Sequence, residues 1–69
     1  MNNVAHFRHK FGLTQLELAE KLGVAQSNVA QIERGNITAS TAMIRGMIEI
    51  FGVTAGQIIG TEPLEEASQ

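Results

Sequence analysis

Four amides stand within eleven residues of one another: Gln26, Asn28, Gln31 and Asn36, with Ser27 and Arg34 among them. The chemistry open to such a group is hydrogen bonding. An amide both donates and accepts, a hydroxyl does either, and a guanidinium only donates. Bond-breaking chemistry has little to work with. The chain has no Cys, which excludes a thiolate nucleophile, disulfides and Cys-ligated zinc. His6 and His9 are three residues apart, with no carboxylate at triad spacing, and no Gly-rich phosphate loop is present. Two His without a third ligand make a poor metal site, so the plainer reading is two solvated imidazoles. An enzyme, a cofactor, a metal and a small-molecule ligand are all unexpected.

Length limits what can hold these groups in place. The chain has 69 residues, about half a typical domain, enough for one small core. A hydrophobic content of 43% suits a folded domain. No apolar run approaches the ~20 residues of a membrane span, and no secretory signal stands at the start. With no Trp, no Tyr and 3 Phe, a stacking platform for single-stranded nucleic acid is not expected. The formal charge is -2, unlike a uniformly basic coat for nucleic acid. That charge is uneven. In residues 1–35, Arg8, Lys10, Lys21 and Arg34 outnumber Glu17, Glu20 and Glu33, whereas in residues 36–69 Arg45 faces Glu49, Glu62, Glu65 and Glu66. Part of this acidity lies in 61–69, which holds the only proline, Pro63. That segment reads as a flexible acidic tail following a domain at 1–60.

The elements that must position the amides read as five short helices, an all-α bundle. Asn2 or Asn3 is placed to cap a first helix, with Val4, Phe7 and Phe11 on one face and Gly12 as its stop. Thr14 and Glu17 form a capping box that opens a second helix. Leu16, Leu18, Ala19 and Leu22 share its inner arc, and Gly23 ends it. A third helix spans about Gln26–Arg34, with Val29 and Ile32 inward and Gly35 as its stop. A fourth begins after Thr38 or Ser40, carries Ile44, Met47, Ile48 and Phe51 inward, and ends at Gly52. Thr54 and Gln57 make a second capping box for a short fifth helix with Ile58 and Ile59, stopped by Gly60. Gly46, inside the fourth helix, costs about 1 kcal/mol relative to Ala.

The second and third helices are separated only by Gly23, Val24 and Ala25, so they must cross steeply. Ala19 supplies the small residue that close crossing needs, and Gly23 the permissive backbone. This text, with Arg8, Gly12-Leu13-Thr14-Gln15, Leu18-Ala19, Leu22-Gly23-Val24 and Ile32-Glu33-Arg34-Gly35, resembles the helix-turn-helix domain of the Cro/CI phage-repressor family, also called XRE-like. The likeness covers nearly all of the chain except the tail. It implies a lambda-repressor-like fold with the helix-turn-helix at about 15–34, dimeric on its operator, whose third helix enters the major groove. Three departures stand out: Ala25 where a capping Ser or Thr is usual, Ala39 where Pro is frequent, and the acidic total.

Roles for the amides follow from that likeness. With Val29 inward, a step of about 100° per residue turns Ser27, Ala30, Gln31 and Arg34 outward and leaves Gln26 at the N-terminal tip. Gln26, Ser27 and Gln31 are then candidates for base edges, and Ala30 for a thymine methyl. Outside this motif the same residues would read as polar filler. Gln15, first after the cap of the second helix, is assigned a phosphate. Arg34, Asn36, Arg45 and, at lower rank, Asn28 are further phosphate candidates. Arg45 has Glu49 as an alternative partner. The family pairs Arg8 with Glu33, and a partly buried ion pair is expected there rather than an exposed one. Val53, Ile58 and Ile59 are candidates for a dimer contact, although all three could be core.

The function implied is a sequence-specific, double-stranded DNA-binding transcriptional regulator of repressor type, working as a homodimer on a palindromic operator. The setting implied is the cytoplasm of a bacterium, or of a phage-infected cell, with the protein held on the nucleoid through DNA. The alternative is a protein-binding helix-turn-helix module, such as an antitoxin subunit or a coactivator domain, in which DNA contact is secondary.

Overall fold

A computed structural model describes residues 2–64. Among them run five helices and no strand: α1 (Val4–Lys10), α2 (Gln15–Leu22), α3 (Gln26–Arg34), α4 (Thr41–Phe51) and α5 (Ala55–Ile59). Both capping boxes form. The Glu17 N–H donates to Thr14 Oγ1 at 3.0 Å and the Thr14 N–H to Glu17 Oε1 at 2.8 Å. Thr54 and Gln57 repeat the arrangement at 3.1 and 3.0 Å. Ser40 opens α4 by accepting from the Met43 N–H. Ala25 stands at the N-cap of α3 with no side-chain bond. Gly23 closes α2 at φ 72°, a region that side chains with a Cβ rarely adopt.

The core is built by Val4 and Phe7 of α1, Leu18 and Ala19 of α2, Val29 and Ile32 of α3, Met43, Met47 and Phe51 of α4, and Ile58 of α5. Every helix therefore contributes, and α3 is clamped from behind by two side chains. The inner stripe of α4 runs Met43, Met47, Phe51, one residue earlier than expected at its start. Ile44 and Ile48 are only half-buried. Phe11 and Leu16, expected inward, are about half exposed. Phe11 still keeps its ring 5.2 Å from that of Phe51.

Gly46 has a local reason. A Cβ there would lie 2.6 Å from Leu22 Cδ2, so the missing side chain lets α2 lie close on α4. Asn3 stands at the N-cap of α1 with no side-chain cap bond, and both Asn2 and Asn3 reach other helices. Asn2 Oδ1 accepts from the Val4 N–H, while its Nδ2 donates to the Ile32 carbonyl at 2.7 Å. Asn3 Nδ2 donates to the Gln57 carbonyl and the Asn3 N–H to the Ile58 carbonyl, each at 2.8 Å. The pair thus ties α1 to the far ends of α3 and α5.

The start of the expected tail is bound to the domain. Thr61 and Glu62 donate their N–H groups to the Gly56 carbonyl, and the Thr54 hydroxyl donates to Glu62 Oε1 at 2.7 Å. Residues 65–69 lie outside the described part. No helix among the described residues is long and apolar enough to cross a membrane.

Candidate nucleic-acid interface

Burying Val29 and Ile32 fixes which side of α3 is left to the outside. Gln26, Ser27 and Asn28 at its first turn are exposed, Ala30 and Gln31 are half-buried, and Arg34 is exposed at its end. None of these outward residues belongs to the core. Asn36 follows directly, also exposed, and Arg45 stands exposed on α4. The helix-turn-helix thus presents one continuous row of amide, hydroxyl and guanidinium groups along α3. The Gln31 side chain is not loose, because Asn36 Nδ2 donates to its Oε1 at 2.7 Å.

Behind this row lies a charged clamp. Arg8 Nε donates to Glu33 Oε2 at 2.6 Å and Arg8 Nη2 to Glu33 Oε1 at 3.1 Å, a bidentate fork. The two side chains are 10% and 8% exposed. Arg8 Nη1 donates to the Leu13 carbonyl at 2.8 Å, and Gln15 Nε2 donates to Glu33 Oε1 at 3.0 Å. One carboxylate thereby joins α1, the first residue of α2 and the last turn of α3, and Arg8 adds the turn after α1. Burial by itself would raise the Glu33 carboxyl. Hydrogen bonds from Arg8 and Gln15, with the charge of Arg8 and of nearby His9, outweigh it and hold the group below its ordinary range. The hydrogen bond to Glu33 raises Arg8 further against the opposing effect of burial.

Gln15, read from sequence as a phosphate contact, therefore spends one Nε2 proton on Glu33, a bond that nothing in the spacing announced. Of the three residues offered for a dimer contact, Ile58 is 1% exposed and belongs to the core of its own chain. Val53 is half-buried. Ile59 is 48% exposed, and so, at 45%, is Ile37, which sequence reasoning did not single out. Ile37 and Ile59 line one apolar groove with Ala39 and Ile44. Among the described residues no group of three or more His, Asp or Glu could hold a metal ion.

Comparison with known proteins adds the following. The helix-turn-helix family model matches residues 5–58. The immunity repressor protein of Bacillus phage phi105 is 33% identical over 57 residues, 83% of this chain and 40% of the repressor. The antitoxin PezA of Streptococcus pneumoniae is 29% identical over 62 residues, 90% of this chain and 39% of the antitoxin. YazB of Bacillus subtilis, an HTH-type transcriptional regulator, is 34% identical over 56 residues, 81% of either chain. The chain thus spans well under half the length of the phage repressor and of the antitoxin.

Proposed function

The chain belongs to the helix-turn-helix family of Cro/CI type, and on that premise we propose that it is a sequence-specific, double-stranded DNA-binding transcriptional regulator of repressor type. The observation that carries this reading is the division of α3. Val29 and Ile32 are buried, while Gln26, Ser27, Asn28 and Arg34 face outward with no part in the core. In this reading α3 enters the major groove. Gln26, Ser27 and Gln31 meet base edges and Ala30 a thymine methyl. Gln15, Asn28, Arg34 and Arg45 meet phosphates, which fix register without reading sequence. The formal charge of -2 is compatible with this, because a local positive field is enough for specific binding.

One such helix reads only a few base pairs, so two copies on a palindrome with half-sites about 34 Å apart complete the reading. The exposed Ile59 and the half-buried Val53 supply apolar surface for that contact. The cell compartment implied is the cytoplasm. A second reading, a protein-binding module of antitoxin type, draws on the likeness to PezA.

Selection of bound duplexes from a random pool tests the proposal. It predicts a palindromic consensus, two chains per duplex, and a steep fall of affinity with salt as phosphate contacts release counterions. One chain per duplex at saturation removes the homodimer. Absence of any enriched duplex, with a protein partner captured instead, favours the second reading.

A further inference from the structure

The end of α3 carries a pair of amides, Gln31 and Asn36, joined by two hydrogen bonds. Gly35 takes a left-handed conformation, φ 81°, and turns the chain so that Asn36 lies back over Gln31. The Asn36 N–H donates to the Gln31 carbonyl at 2.9 Å. From the same residue, Asn36 Nδ2 donates to Gln31 Oε1 at 2.7 Å. The two residues are joined through the backbone first, so the side-chain bond orders little that is not already held. The protons of Gln31 Nε2 have no partner among the described residues.

A free glutamine amide shows an acceptor and a donor side by side, which matches the N6 donor and N7 acceptor of adenine. Accepting from Asn36 takes up one of the two lone pairs of Oε1 and turns the oxygen towards Asn36, which weakens the acceptor half of that pattern. What remains outward is an NH2 group, a donor with two protons. Guanine shows two acceptors in the major groove, O6 and N7, and thymine one, O4, whereas adenine sets one acceptor beside a donor and cytosine shows a donor. We propose that Asn36 is a positioning residue that makes Gln31 chiefly a donor, so that the base facing Gln31 is guanine in preference to adenine. This rests on the DNA-binding reading above and deepens it. It also moves Asn36 from the phosphate contacts to the apparatus of base recognition.

The test is duplex selection with the wild type and three variants, Gln31→Ala, Asn36→Ala and Asn36→Asp, each checked for wild-type helicity and melting by circular dichroism. Gln31→Ala identifies the base position at issue as the one whose preference it erases. At that position the wild type should enrich guanine over adenine. Asn36→Ala frees the acceptor edge and should shift the ratio towards adenine by about fivefold or more, the low end of what one bidentate contact discriminates. Asn36→Asp offers an acceptor to Gln31 Nε2, turns Oε1 outward, and should favour adenine or cytosine at that position alone. Its added negative charge weakens all duplexes alike, so the base ratio, not the affinity, is the readout. Wild-type adenine at that position overturns the proposal. So does an unchanged ratio in both Asn36 variants, which would return Asn36 to a phosphate role while leaving DNA binding intact. A wild type that enriches no duplex removes the DNA-binding reading and the proposal with it.

Discussion

Truncating Glu33 to Ala leaves the Arg8 guanidinium, in a residue 8% exposed, with the Leu13 carbonyl as its one short acceptor and the His9 ring at 3.4 Å. It also releases Gln15 Nε2. A surface ion pair would contribute about 0–1 kcal/mol, but side chains at 10% and 8% exposure are not on the surface. Removing one partner of a buried pair costs roughly 3–5 kcal/mol, chiefly because the other charge is stranded. A chain of this length holds on the order of 3–10 kcal/mol in all. Glu33→Ala and Arg8→Ala should therefore each lower the melting temperature by more than about 12 °C, and either one could unfold the domain. Glu33→Gln keeps a carbonyl for the Arg8 fork and provides a measurable intermediate, losing roughly 1–3 kcal/mol. The paired change Arg8→Ala with Glu33→Ala strands no charge and should cost less than the two single truncations added together, with a coupling of roughly 2–3 kcal/mol. Urea unfolding followed by far-ultraviolet circular dichroism suits a chain without Trp or Tyr. Melting of Glu33→Ala within about 0.5 kcal/mol of wild type would refute the reasoning.

The same carboxylate sets a pH dependence. Glu33 is held below its ordinary value of 4.5 in the folded state, so its contribution is full above that pH and is lost as pH falls towards the folded value. Urea midpoints should drop on acidification, and Glu33→Gln should flatten that drop; parallel curves would count against it. Gly46→Ala should fail to deliver the usual helix gain of about 1 kcal/mol, because its Cβ meets Leu22 Cδ2. We expect little net change, because the half-buried Leu22 side chain must turn aside to make room, and a full gain in thermal melts would contradict the contact. On DNA, Gln31→Ala should cost about 1–3 kcal/mol on the preferred site and relax one base position. Gln15→Ala should weaken all duplexes by similar factors, and a panel of mismatched sites separates the two patterns.

Local signals carried most of the fold. Thr14 with Glu17, and Thr54 with Gln57, each place a hydroxyl and a carbonyl-bearing side chain three residues apart, and both boxes form because every partner lies within one turn. Long-range partners were not legible. Asn2 reads as a cap, yet its Nδ2 goes to Ile32, and Asn3 reaches Gln57, because those carbonyls arrive only once the helices have packed. Hydrophobic periodicity cannot tell Met43 from Ile44 when both are apolar and adjacent, and only packing of the folded chain buries the first and leaves the second half-buried. In the site, the outward row on α3 follows from Val29 and Ile32 alone. The bonds from Gln15 to Glu33 and from Asn36 to Gln31 do not, since an amide has many possible partners and only the folded chain selects one.

The claim that α3 reads duplex sequence is tested most directly by measuring binding of the purified protein to its best selected duplex and to a scrambled duplex of equal length, across a series of salt concentrations. The account predicts that the selected duplex is bound tighter by about a thousandfold or more near physiological salt. Both affinities should fall with salt, and Gln26→Ala and Gln31→Ala should each narrow the gap between the two duplexes. Equal affinity for both, or a gap untouched by either substitution, would contradict it.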